Sequence, residues 1–194
     1  MAKAISWGKP SIFIGATGQT LGSNSNFELL ATPVEDSTNL TGTQGDKTEA
    51  TIEGGEAEAT KYNAATFELT MNVRMALEDN DHHRRLPIAM YGLDGSDPDL
   101  EKYTKTSVAV CLIPADNTAP GFYCPSCSVS IMETYTAADG AMWEITLAPN
   151  VPTGGGKAVQ FGRYVATKGT AVTVGDYSYD KYTIVKDTSN YEPV

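Results

Sequence analysis

The segment AATFELTMNVRM, residues 64–75, decides the fold class of this chain more clearly than any other stretch. The apolar residues at every second position are Phe67, Leu69, Met71 and Val73, and the residues between and after them are Glu68, Thr70, Asn72 and Arg74. Successive side chains of a strand point to opposite faces, so this alternation predicts a strand with one buried face.

An acidic stretch precedes this strand. Residues 28–60 hold eight acids and one base, a net charge of 1 − 8 = −7, in a chain whose total is 14 − 24 = −10. A localised field of one sign favours a surface that repels or orients a partner. Binding to nucleic acid or to an anionic membrane normally needs a basic face, so the charge disfavours both functions.

The remaining sequence is typical of short strands joined by turns. Strand-like runs occupy residues 11–15, 27–31, 48–53, 107–113, 127–134, 143–148, 158–166, 170–174 and 182–185. Asp139-Gly140 predicts a hairpin turn, and polar connections are predicted at residues 33–47 and 149–156. Residues 77–90 predict one helix, which Pro87 keeps short.

These patterns predict a single domain over residues 1–194 that is mainly β. The predicted architecture is an antiparallel β-sandwich or a partly closed barrel with one short flanking α-helix. The N-terminal residues contain no long apolar run. We therefore expect neither a secretory signal nor a transmembrane helix, and we expect synthesis in the cytosol.

Cys124 and Cys127, in the sequence CPSC, form the sharpest local motif. Two thiolates at this spacing can bind one metal ion, and Cys111 is a weak candidate for a third ligand of a structural zinc site. A complete site needs four ligands, and a redox pair is expected at a helix start that the pattern does not show. Two small cysteines at the junction of a loop and a strand explain the motif as well.

No residue set predicts catalysis. The run GGGK at residues 154–157 lacks the following Ser or Thr of a phosphate loop. Glu56 and Glu58 have the spacing of two carboxylates on one strand face, but a solvated acidic face explains them better. We therefore predict a non-enzymatic protein without a cofactor. Tyrosines crowd the C-terminal third and fit either an interface or core positions: Tyr164, Tyr177, Tyr179, Tyr182 and Tyr191.

Three segments resemble tail tube proteins, the major tail proteins of bacteriophages and prophages, especially those of gut Bacteroidetes. They are MAKAISWGKPSIFIGATG at residues 1–18, the stretch at residues 32–74, and ETYTAADGAMWEITL at residues 133–147. The resemblance covers about residues 1–150 and includes no catalytic signature.

The resemblance implies β-sandwich subunits that form hexameric rings, and rings that stack into the tube of a virion tail. The implied partners are further copies of the chain and other tail proteins, such as the tape measure, terminator and initiator. DNA would pass through an acidic lumen without specific binding, and no membrane would be involved. Assembly would take place in the cytoplasm of the host bacterium.

On this chain the resemblance implies an inter-ring loop at residues 32–47 and a channel-lining strand within residues 57–75. The candidate acids of the lumen are Glu56, Glu58 and Glu68. The candidate inter-subunit residues are Asp36, Asp46, Arg84 and Arg85, because a basic spot of one copy can dock on the acidic stretch of the next. The resemblance does not say whether residues 157–194 belong to the core sheet or decorate the tube exterior.

Two other classes of protein fit the same residues. One is a β-sandwich binding module that recognises a glycan or a protein through its tyrosines. The other is a small zinc-stabilised β domain that uses Cys111, Cys124 and Cys127.

Overall fold

The computed structural model describes residues 8–51, 57–74, 86–91, 93–94, 97–98, 107–116, 119–137, 140–174 and 177–188. Within these residues the chain forms sixteen strands and one 3-10 turn, Ile88–Met90. The strands are β1 (Ser11–Ala16), β2 (Phe27–Leu29), β3 (Asn39–Thr43), β4 (Lys47–Thr51), β5 (Ala57–Tyr62), β6 (Thr66–Arg74), β7 (Leu93–Asp94), β8 (Asp97–Pro98), β9 (Ser107–Ile113), β10 (Gly121–Thr136), β11 (Gly140–Pro149), β12 (Gln160–Gly162), β13 (Tyr164–Lys168), β14 (Val172–Val174), β15 (Tyr177–Tyr179) and β16 (Lys181–Lys186).

Ten strands form one antiparallel sheet in the order β13-β16-β2-β1-β9-β10-β11-β6-β3, with β12 paired to β10. The pairs β4–β5, β7–β8 and β14–β15 form separate two-stranded sheets. The predicted mainly β, antiparallel fold is therefore confirmed. In the described residues β13 and β3 end the order without pairing to each other, so the sheet is not a closed barrel.

The long strand β10 divides the large sheet into two halves. Its first part pairs with β9 as far as Ser128, and its second part pairs with β11 from Cys127 onward. The register between β10 and β9 shifts between Cys124 and Cys127, which marks a bulge. A bulge bends its strand and increases its twist.

The two halves share one apolar cluster, which makes the fold sandwich-like. This first apolar cluster contains Ile12 and Val110 from one half and Leu69, Met71 and Trp143 from the other, all buried. Burial of each such side chain contributes about 1.5–3 kcal/mol relative to exposure. The alternation predicted for residues 64–75 is confirmed in β6, whose Leu69, Met71 and Val73 face this cluster.

A second apolar cluster lies on the opposite face of the β1–β9 half. Phe13, Ala109 and Cys111 contribute to it, together with Tyr164 of β13 and Ile184 of β16. The C-terminal strands β13 and β16 thus belong to the core sheet, which settles the placement that the sequence left open.

Three expectations need correction. The helix predicted at residues 77–90 is only the 3-10 turn Ile88–Met90 where it is described, because Pro87 immediately precedes it; residues 77–85 lie outside the described residues. The connection predicted at residues 33–47 contains β3. The stretch at residues 57–75, predicted as one channel-lining strand, contains two strands in its described residues, β5 and β6. In the described parts of the chain, no helix is long and apolar enough to cross a membrane.

Candidate functional site

A polar face covers one side of the second half of the sheet, opposite the first apolar cluster. Paired residues of adjacent strands lie on the same side of a sheet. One row across the four strands runs through Ser130, Thr146, Thr70 and Asn39. The adjoining rows of this polar face hold Ser128, Ala148, Glu68, Thr41, Met132, Glu144 and Asn72. The face is mostly polar, with five hydroxyl-bearing residues, and its residues are half-buried to exposed.

The described charged residues of the polar face are two acids, Glu68 and Glu144, and one base, Arg74, which is exposed and pairs with Met142 in the next row. Glu68 is exposed and pairs with Thr41, and Glu144 is half-buried between Met132 and Asn72. Glu68 was predicted from the sequence as a lumen acid, whereas Glu144 was missed. The signal for Glu144 was present, because Glu144 alternates with Trp143 and Ile145 in the run WEITL.

Of the other two predicted lumen acids, only Glu58 belongs to a described strand, and that strand does not carry the polar face. Glu58 belongs to β5, which pairs with β4 in a separate two-stranded sheet. Glu56 lies outside the described residues. The three candidates therefore do not share one strand.

Among the described strands, the half of the sheet that carries the polar face has two edges without a partner strand. At one edge, β3 pairs only with β6 among the described strands. At the other edge, β9 accompanies β10 as far as Ser128, and no described strand pairs with residues 129–132 on the side away from β11. An open edge presents unpaired main-chain donors and acceptors, which can pair with another chain.

The strands β4 and β5 form an arm that continues the β3–β6 pair. The amide of Asn63 donates to the carbonyl oxygen of Asp46 at 2.9 Å, which closes the base of the arm. Gly45 lies at the same point, and a Cβ there would stand 2.6 Å from the carbonyl oxygens of Asn63 and Ala64. Only glycine allows this close approach of two backbones. The predicted inter-subunit residue Asp46 thus lies at the base of the arm.

A groove of about 840 Å³ runs beside the β3 edge, and Pro10, Pro33, Asp36 and Leu40 are among its lining residues. Asp36 has a positive φ of 58°, a left-handed conformation that Asp tolerates in turns. The predicted inter-subunit residue Asp36 is exposed at this groove. Arg84 and Arg85, the predicted basic partners, lie outside the described residues.

The three cysteines do not converge. Cys124 and Cys127 are buried in the first apolar cluster, whereas Cys111 is buried in the second cluster on the opposite face of the sheet. The described residues contain no group of three metal-binding side chains. The hydrogen bond that the Cys124 thiol donates to Cys127, together with burial, raises the pKa of Cys124, and burial raises the pKa of Cys111. Neutral buried thiols are poor metal ligands and poor nucleophiles.

The C-terminal tyrosines that the structure describes are mostly used for packing. Tyr164 is buried, and Tyr182 stacks on Phe13 with ring centroids 5.1 Å apart. The hydroxyl of Tyr179 accepts a hydrogen bond from Asn26 at 3.1 Å. Tyr191 lies outside the described residues, and the side chain of Tyr177 is not described. No exposed tyrosine platform is formed by Tyr164 and Tyr182.

The comparisons with known proteins add no assignment to this geometry. No protein-family model matches the chain, and no curated protein matches it significantly.

Proposed function

We propose that the protein is a tail tube subunit of a phage or prophage: a non-enzymatic structural protein that assembles through its sheet edges into stacked rings around a DNA channel. The observation that carries this proposal is the four-stranded half of the sheet formed by β10, β11, β6 and β3. It combines two open edges with one polar face.

The two edges support head-to-tail association. The β3 edge and residues 129–132 of β10 lie at opposite ends of the four-stranded half, so the β3 edge of one copy can pair with the β10 edge of the next. Two different surfaces that meet in this way give a ring if the rotation closes. Every copy in such a ring turns the same face inward.

The sequence of both edges also supports pairing with another chain. Monomeric proteins protect open edges with Lys, Pro or inward-pointing charges. The strand β3 is NLTGT and residues 129–132 are VSIM, so neither edge carries a charge or a proline. Edges of this composition are an aggregation hazard unless they are paired in the functional state.

The polar face has the chemistry expected of a wall past which DNA slides. Its hydroxyl and amide groups keep a hydrated surface, and Glu68 and Glu144 repel phosphates. Tight binding to phosphates needs several bases, because each contact releases counterions. Among the described residues of the polar face, Arg74 is the one base.

The first experiment is light scattering of the full-length protein followed by negative-stain electron microscopy. Rings or hollow tubes support the proposal, whereas compact particles of 20.7 kDa at every concentration contradict it.

A covalent ladder tests the edge contact directly. The variant with Thr41→Cys on β3 and Ser130→Cys on β10 is treated with a short bis-maleimide. Both sites are exposed, whereas the native cysteines are buried. A head-to-tail ring gives a ladder that ends at the ring size, which the resemblance puts at the hexamer. The single variant Thr41→Cys is the control. A ladder that ends at the dimer would exclude the ring.

A further inference from the structure

The arm formed by β4 and β5 needs a partner. It is a two-stranded sheet, and no other described strand pairs with it. Its described side chains at Lys47, Thr48 and Glu49 are exposed, and no arm residue whose side chain is described belongs to either apolar cluster. An isolated two-stranded ribbon is at best marginally stable in water. A third strand along one of its edges would stabilise it.

The arm and the segment that includes β12 and β13 carry opposite charges. Residues 46–62 hold two bases and five acids, a net charge of 2 − 5 = −3. Residues 157–168, KAVQFGRYVATK, hold three bases and no acid, a net charge of +3. Oppositely charged segments attract each other and set the orientation of an encounter.

The strand β13 is the open edge at the far end of the large sheet. It pairs only with β16 among the described strands. Arg163 precedes it, and Lys186 pairs with its first residue, so both bases lie at one end of the edge. Among the described residues neither of these bases forms an ion pair, whereas Lys168 contacts Asp180 at 2.6 Å.

The edge also exposes an apolar pair. Val165 and Val185 lie opposite each other in the register of β13 and β16, and they are 47% and 42% exposed. Covering exposed apolar area contributes about 25 cal/mol per Å², so a strand added here would be stabilised by more than its main-chain bonds.

We infer that the β13 edge of one copy receives the acidic arm of a second copy as an additional strand. The arm leaves the sheet at β3, at the opposite end of the strand order from β13. Among the described strands, the arm pairs with no strand of the large sheet. The main chain supplies the hydrogen bonds, Arg163 and Lys186 face the acids of the arm, and Val165 and Val185 become covered. The inference rests on the self-assembly proposed above, but it concerns a contact separate from the ring edges.

A charge exchange between copies tests this contact. Variant A carries Arg163→Glu and Lys186→Glu, and variant B carries Glu49→Lys and Glu58→Lys. Each variant alone places like charges together, so we expect the concentration needed for assembly at ~0.1 M salt to rise about tenfold. An equimolar mixture restores assembly, because the edge of A then accepts the arm of B. The variant Arg163→Lys with Lys186→Arg keeps both charges and serves as the matched control. Assembly of A and B alone at the wild-type concentration would overturn the inference.

Cross-linking between two single variants gives an independent readout. Thr48→Cys in the arm and Thr167→Cys in β13 are prepared separately, mixed and treated with a short bis-maleimide. A heterodimer of the two variants is expected, and Thr48→Cys mixed with Thr146→Cys on the polar face is the control. Circular dichroism shows that each variant is folded. If the heterodimer is absent from well-formed tubes, the arm contact is wrong and the tube proposal stands. If the heterodimer forms without rings or tubes, the tube proposal fails and the arm contact stands.

Discussion

Replacing Gly45 with alanine should loosen the arm without unfolding the sandwich. Gly45 lies between β3 and β4, and a Cβ there would stand 2.6 Å from the carbonyl oxygens of Asn63 and Ala64. Real Cβ atoms do not approach backbone oxygens so closely, so the two strands must separate at this point. The nearby bond from the Asn63 amide to the Asp46 carbonyl, 2.9 Å long, is the first that would lengthen.

The free-energy cost of Gly45→Ala depends on the atoms that the new Cβ would meet, which are backbone carbonyl oxygens. Overpacking that forces a backbone shift costs about 1–3 kcal/mol. The arm residues with described side chains belong to neither apolar cluster, so we expect opening of the arm to relieve the strain at little expense to the core. A loss of about 2 kcal/mol in the local opening free energy raises the open population roughly 30-fold.

Hydrogen–deuterium exchange followed by mass spectrometry measures this local change. Arm peptides covering residues 47–51 and 57–62 should exchange roughly 30-fold faster in Gly45→Ala, whereas β9 keeps its protection. Gly169→Ala is the matched control, because its Cβ would have an ordinary contact of 3.5 Å with the Lys181 carbonyl oxygen. Wild-type exchange of the arm in Gly45→Ala, or equal acceleration in both variants, would refute the reasoning.

Three further predictions concern the polar face, the thiols and a buried tyrosine. Glu68→Gln with Glu144→Gln should leave tube assembly intact and slow DNA delivery; unchanged infectivity of phage carrying both changes would contradict the proposed wall. Cys124 and Cys127 should not react with a thiol reagent in the folded protein, and a chelator should leave the melting temperature unchanged; release of stoichiometric zinc would contradict this. Burial, together with the nearby thiols, raises the pKa of Tyr123 to about 12. Since an unfolded tyrosine has a pKa of about 10, the stability from Tyr123 is complete below pH ~10 and is lost as the pH rises through ~12, which absorbance titration and urea unfolding measure. Ionisation of all tyrosines near pH 10 in the folded protein would contradict that shift.

Local apolar patterns were sufficient both for a strand that buries one face and for a strand that is buried on both faces. β6 and β9 were predicted from their own residues because each has an apolar pattern matched to its burial. β3 was missed because its sequence NLTGT has a single apolar residue, Leu40, that packs against the core. The strand β3 forms because its main chain can pair with β6. The sequence of β3 alone gives no sign of that pairing.

The candidate site depended on register, which the sequence does not give. Cys111 and Cys124 looked like possible partners in the sequence, but pairing of Cys111 with Tyr123 and of Cys124 with Val110 places the two thiols on opposite faces. The polar face likewise requires rows across four strands, such as Ser130, Thr146 and Thr70. The acidic charge was visible in the sequence, but its division between the arm and the polar face required the topology.

The two proposed contacts between copies should respond differently to salt. The ring edges, NLTGT in β3 and VSIM at residues 129–132, carry no charge, so main-chain bonds and side-chain packing hold them. The arm contact joins segments of charge −3 and +3. Screening shortens from about 10 Å at 0.1 M salt to about 3 Å at 1 M, which weakens exposed charge pairs and leaves neutral strand pairing almost unchanged.

High salt should therefore leave rings while it releases the arms. At about 1 M salt we expect the Thr41/Ser130 ladder to persist and the Thr48/Thr167 heterodimer to disappear. Variant A mixed with variant B should show the same salt response as the wild type, because its charge pairs are merely exchanged. If rising salt abolishes the Thr41/Ser130 ladder before the Thr48/Thr167 heterodimer, pairing of the neutral edges does not hold the ring together.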